Sequence, residues 1–251
     1  MFIPLHDRNK LDHIDVQYVT LLLIGLNIAI WFMTALSGSQ GSFTNAAVLG
    51  FGFIPAVAFG SAQLAPEFVV VPEAATYVTY AFLHADFWHL AGNMLFLWVF
   101  GDNIEDALGH FRFLIFYLAC AAAGALAHAV IQPASDAPLI GASGAVAGIV
   151  AAYLILHPRV RVWVLALGRI PLPLPAYIPL VLWIGMQFFM VVTAGDSGIS
   201  WAAHIGGIVA GAILVVVMKR REVPLFDRRL ISPRAVVRQR EASSQPPRWG
   251  R

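Results

Sequence analysis

The chain has 251 residues, 59% of them hydrophobic and only 12% charged, about half the roughly 25% charge of an ordinary soluble domain; with a mean hydropathy of +0.74 this points to lipid as the main solvent. The net charge of +2 conceals an asymmetry, because ten of the sixteen Lys and Arg lie in residues 219–251. A single cysteine, Cys120, excludes an intrachain disulfide, and without a CxxC or His/Cys cluster no metal is expected, nor any cofactor or nucleic-acid partner.

Residues 1–17 are polar and mixed in charge, unlike the front of a cleavable signal peptide. They read as a cytoplasmic N-terminal segment, and the first apolar run as a retained signal anchor. A helix crosses the hydrocarbon core with about 20 apolar residues. Six stretches approach that length: 18–37, 88–101, 111–131, 140–157, 176–194 and 201–218. The second and fourth are short, which fits helices that begin below the membrane surface where protein or a water cavity shields them.

With six spans, all sixteen basic residues fall on one side, because the loops at 38–87, 132–139 and 195–200 contain none. The positive-inside rule then places both termini in the cytoplasm. The expected fold is an all-α membrane protein, a six-transmembrane-helix bundle over 18–218. The remainder, 219–251, reads as a basic, disordered cytoplasmic tail that can lie against anionic lipid headgroups. The long apolar loop 38–87 fits two readings equally, a packed loop and a segment lying in the interface.

Polar side chains inside spans are costly, so each is a functional candidate. His89 and Asn93 lie in the second span, Ser143 in the fourth and His204 in the sixth. These three spans run in the same direction, and all four residues sit near the outer ends. Asn93 is one turn below His89 on the same face. The fourth span carries Gly144, Ala145, Ala147, Gly148, Ala151 and Ala152, and the sixth carries Gly207 and Gly211 on the face of His204. Small residues at that spacing let membrane helices approach closely. A hydroxyl beside an imidazole is the minimal activated nucleophile, with the imidazole shuttling the proton. The Asn93 amide, the His89 N–H and the Ser143 backbone N–H at a helix N-terminus suit an oxyanion. Taken singly, each residue is more often structural: a serine bonded to its own backbone, a packing histidine, an asparagine joining two helices.

Three segments taken in order resemble the rhomboid family of intramembrane serine proteases: His89-Leu90-Ala91-Gly92-Asn93, Gly141-Ala142-Ser143-Gly144-Ala145, and Ala203-His204-Ile205-Gly206-Gly207 with Gly211. The stretch 103–109 with Glu105 resembles the family's sequence after its second helix. The resemblance covers roughly 18–218 and implies a rhomboid-like bundle. It implies Ser143 as nucleophile, His204 as general base without an acidic partner, and His89 and Asn93 as oxyanion ligands. It also implies transmembrane protein substrates, cleaved in or near their membrane-spanning segment, and a bacterial cytoplasmic membrane suits the compact plan. Two positions depart from the family: residues 38–87 hold no Arg for its Trp-Arg pair, and Ala147 stands where many members place a Tyr against the catalytic histidine.

Other residues read more plainly. His84, one turn before the second span, fits the lining of a water cavity but reads more readily as a loop histidine; His128 is a packing or interfacial residue, and Cys120 a small apolar one. Asp196 is a solvated loop carboxylate, and Glu105 is a structural partner for Arg112. Two other functions compete with proteolysis: a catalytically inactive relative that binds membrane clients, and a small-solute channel or transporter, although the internal repeats common in transporters are not evident. No HExxH suggests a metalloprotease, and oligomeric state has no signature here.

Overall fold

Apolar runs interrupted by glycine, proline and short polar clusters fold into a helical bundle, seen in a computed structural model that describes residues 2–7, 9–36, 42–166, 168–193 and 199–227. Strand β1 (Phe2–Asp7) precedes α1 (Tyr18–Ala35), and the first loop holds α2 (Ser42–Phe51), α3 (Pro55–Ala58) and α4 (Glu73–Thr79). Then come α5 (Phe87–Leu108), α6 (His110–Ile131), α7 (Ser143–Leu156), β2 (Arg161–Ala166), β3 (Ile170–Pro175), α8 (Tyr177–Thr193) and α9 (Trp201–Met218). Among the described residues α1, α6 and α9 are long and apolar enough to cross a membrane, and α7 and α8 are shorter apolar helices. Their outer faces leave Leu22, Phe32, Val130, Leu182, Phe189 and Val217 exposed, an apolar surface of the kind that lipid covers.

The stretch 88–101 continues as helix to Leu108, because the polar residues that follow it are buried against other elements. Glu105 accepts the N–H groups of Val19 and Thr20 at 2.9 and 2.8 Å and the Thr20 hydroxyl at 2.7 Å. A carboxylate from one helix thus satisfies the orphan donors at the start of another. Its other neighbour is His110 Nδ1 at 2.5 Å, whereas Arg112 donates to the Met218 carbonyl, so the expected Glu105–Arg112 pair is replaced. Asp106 accepts from the N–H groups of Asp12, His13 and Ile14. Gly109, at φ +83°, ends α5 and starts α6 in a conformation that favours glycine. The Arg220 side chain closes over this turn and donates to the Asp106 carbonyl.

The all-α expectation gains a three-stranded antiparallel sheet, ordered β1-β2-β3. Val162 and Val164 of β2 are buried in the main core. Pro171, Pro173 and Pro175 lie on β3, an edge strand, where missing donors cost least. Asp7, at the end of β1, accepts from the Tyr153 hydroxyl at 2.5 Å and from Asn103 Nδ2 at 3.0 Å. The sheet is thereby tied to α5 and α7.

The first loop is packed at its centre and exposed in places. Phe53 is fully buried and bridges to Leu139, while Phe59, Val69 and Val70 are exposed. It is anchored by Tyr80, whose hydroxyl donates to the Ala121 carbonyl of α6 at 2.8 Å.

The centre of the bundle is a contact of backbone with backbone. A Cβ added at Gly207 would lie 1.9 Å from the Gly144 carbonyl oxygen, and one at Gly211 would lie 2.3 Å from that of Gly148. On the α6 side, one at Gly206 would lie 2.4 Å from the Ala123 oxygen. α9 therefore rests in a groove between α6 and α7 that only glycine permits.

Candidate active site

α7 begins at Ser143 rather than at 140 because the preceding chain is held out of helix. Gly141 has φ +120°, and a Cβ there would lie 2.6 Å from the His89 ring. Its N–H donates to the Tyr80 carbonyl at 3.0 Å. The turn into α7 is thus gripped between Tyr80 and His89, and the partly exposed Ser143 follows it as the first helical residue. N–H groups in a helix's first turn lack partners within the helix and point outward with its positive dipole end.

His89 is fixed from two directions. Asp86 caps α5 by accepting the His89 N–H at 2.9 Å, and the imidazole packs edge-on to His84, with ring centroids 5.1 Å apart. Asn93 is buried one turn below and donates from Nδ2 to the His89 carbonyl at 2.9 Å. His84 is more than a loop histidine: it is buried, and its Nε2 accepts the N–H of Ala142, beside Ser143, at 3.4 Å. Burial, helped by neighbouring His89, pulls its pKa down to about 3. It is therefore neutral near pH 7 and able to accept.

His204 is the fourth residue of α9 and is buried. Ser200 caps this helix, accepting from the Ala203 N–H at 3.2 Å. The Ser200 hydroxyl also pairs with His128 Nδ1 of α6 at 2.8 Å, so His128 fastens the helix end that carries His204. Trp183 of α8 stacks on the His204 ring at 6.3 Å and 24°, and Trp201 meets it edge-on at 5.7 Å and 86°. These indoles lie against the imidazole, the contact the family's Tyr at the Ala147 position would make. His204 Nδ1 lies 2.7 Å from Gln187 Oε1 of α8.

Ser143 and His204 flank the glycine contact. Gly144 follows the serine, and a Cβ there would lie 3.3 Å from the carbonyl oxygen of Ala203, which precedes the histidine. Gly207, one turn beyond His204, touches Gly144 as well. His89 is close enough to His204 for the two to interact electrostatically. The four residues singled out from sequence therefore converge at one end of α5, α7 and α9. Asp196 lies outside the described residues, as does the tail beyond Asp227. No cluster of His, Cys, Asp and Glu able to hold a metal occurs among the described residues.

Gln187, Trp183 and Ser200 escaped the sequence reading, which named His84 and His128 without their contacts at the site. Gln187 had a visible signal, since it is a polar side chain within the apolar stretch 176–194 and meets the criterion that picked out Asn93.

A family model for the Rhomboid domain matches residues 72–221, from α4 through the end of α9. The RHOMBOID-like protein 12, mitochondrial, of Arabidopsis thaliana is 32% identical over 154 residues, covering 55% of this chain and 44% of its own length. The rhomboid protease GluP of Bacillus subtilis (strain 168) is 30% identical over 215 residues, covering 85% of this chain and 37% of its own. The rhomboid protease AarA of Providencia stuartii is 29% identical over 216 residues, covering 79% of this chain and 71% of its own. This chain thus spans about two-fifths of the length of the first two relatives. The matched region contains all three motif segments, and the chain belongs to the rhomboid family.

Proposed function

We propose that the chain is an intramembrane serine endopeptidase. The observation that carries this reading is the glycine contact between α7 and α9, flanked by Ser143 and His204 and adjoined by the His89 ring on Gly141. Ser143 Oγ attacks the scissile carbonyl while His204 takes its proton and later returns it to the leaving amine. His89, Asn93 and the Ser143 backbone N–H stabilise the oxyanion. Two relatives are named as proteases, and in this reading the substrates are transmembrane proteins cut in or near their membrane-spanning segment.

In this reading α1 and α5–α9 are six membrane spans within a core over 18–218. Residues 1–17 and the basic tail 219–251 face the cytoplasm, in accord with the one-sided distribution of Lys and Arg. The membrane is a bacterial cytoplasmic one, and its lipids contact the exposed apolar faces.

The test is cleavage of a synthetic transmembrane substrate by the purified protein in detergent and in liposomes. Wild type is expected to cut, and Ser143→Ala and His204→Ala each to abolish cutting while melting normally. Cutting by both variants would refute the assignment. Binding without cutting by wild type would favour an inactive client-binding protein, and solute flux through the liposomes would favour a channel.

A further inference from the structure

We infer that Gln187 is a positioning residue for His204: its side-chain oxygen holds the imidazole in the Nδ1–H tautomer and leaves Nε2 free to act as the base. The inference rests on the proposed hydrolytic reading and adds a third member to the serine–histidine pair.

The argument begins with the donor and acceptor inventory. An amide side chain has one end that only accepts and one that only donates, and coordinates alone rarely tell the two apart. Here the surroundings decide. One end of the Gln187 amide lies 2.9 Å from the Trp183 carbonyl oxygen, one turn earlier in α8. A carbonyl can only accept, so that end is the NH2 group. The oxygen is then the end that lies 2.7 Å from His204 Nδ1. An amide oxygen can only accept, so Nδ1 must carry hydrogen. In a neutral imidazole the other nitrogen then bears the lone pair. The chain of assignments starts at a backbone carbonyl and ends at the atom that must take the serine proton.

Burial gives the contact weight. Gln187 is 1% exposed and His204 9%, so neither group can exchange its partner for bulk water. An unpaired amide there would carry a desolvation cost. α8 is otherwise poorly buried: Pro179, Leu180 and Gln187 are its only buried members. The one deeply buried polar side chain of α8 is therefore spent on His204. Trp183, on the same face of α8, fixes the plane of the ring, and Gln187 fixes its rotation within that plane. During attack the Ser143 hydroxyl proton passes to His204 Nε2 as Oγ bonds the carbonyl carbon. It leaves with the amine when the C–N bond breaks. Nδ1–H stays on Gln187 throughout, a hydrogen bond that strengthens while the ring is charged.

The test compares Gln187→Met, similar in length but lacking the acceptor, with Gln187→Glu, which keeps an acceptor oxygen. In detergent with a synthetic transmembrane substrate, Gln187→Met is expected to lower kcat about 10- to 100-fold, the scale of a misoriented catalytic group, with KM nearly unchanged and a modest drop in melting temperature from the buried Nδ1–H left unpaired. Gln187→Glu is expected to restore most of the rate. Wild-type kcat in Gln187→Met would overturn the inference. So would parallel losses of kcat, KM and melting temperature that Gln187→Glu fails to rescue, since these would mark Gln187 as mere interhelical packing. A second readout needs no cleavage. The 15N spectrum of His204 is expected to show Nδ1–H in wild type and a tautomer mixture in Gln187→Met. An Nε2–H signature in wild type, or no change in the variant, refutes the inference by itself. A wild type that never cuts, with the Nδ1–H signature and its shift both present, would sink the protease reading and leave the positioning contact standing.

Discussion

Gly207→Ala tests the geometry on which the site depends. The added carbon would lie 1.9 Å from the Gly144 carbonyl oxygen, whereas ordinary contact begins at 3.4 Å. The obstructing atom is backbone, so no side chain can rotate away, and the helices must part locally by about 1.5 Å. Overpacking of this kind costs about 1–3 kcal/mol, which should appear as a lower melting temperature in detergent. Gly144 and Gly207 adjoin Ser143 and His204, so the parting also separates the proposed nucleophile from the proposed base. A displacement near 1 Å costs about 100-fold in rate, and cleavage of a transmembrane substrate should fall by that order. Gly211→Ala presses on Gly148, one turn further from the site. It should lower melting comparably but cleavage less. Gly185→Ala meets nothing within 4 Å and should change neither. A Gly207→Ala protein that melts and cuts like wild type would refute the claim that glycine contact sets the spacing.

His89→Ala and Asn93→Ala should each lower kcat about 100- to 1000-fold while leaving KM near its wild-type value, measured on the same substrate; an effect confined to KM would make them binding residues. Stability should also respond to pH through Asp7, whose carboxyl burial pushes up from 3.8 to about 7. Between those values the unfolded chain gives up this proton and the folded chain keeps it, so the contribution of Asp7 to stability is full below pH 3.8 and is lost as pH rises toward 7. Asp7→Asn should flatten that part of the melting-temperature profile, and an unaltered slope would remove Asp7 as its source.

What the sequence made legible was local or periodic. Each of Ser143, His204, His89 and Asn93 is a polar side chain in an apolar run, and Gly144, Gly148, Gly207 and Gly211 repeat at helical spacing. What stayed hidden depends on distant partners. β1 pairs with β2 across more than 150 residues, Phe2 opposite Ala166, and the Pro-Leu alternation of β3 matches no strand template until an edge is available. Glu105 and Arg112, one acidic and one basic, suggested a local pair. The carboxylate instead serves amides at the start of α1, some 85 residues away. His128 looked like packing because its partner, Ser200, caps a helix that approaches α6 only in the folded chain.

The meeting of α7 and α9 through bare peptide groups also bears on how the protein experiences its bilayer. A thicker or thinner hydrocarbon layer is met by tilting spanning helices. Where Gly207 meets Gly144 and Gly211 meets Gly148, peptide rests on peptide and no side chain is there to be compressed. In the six-span reading, tilt would carry Ser143 and His204 together as a single rigid strut, and adaptation to lipid composition would fall to the helices around them.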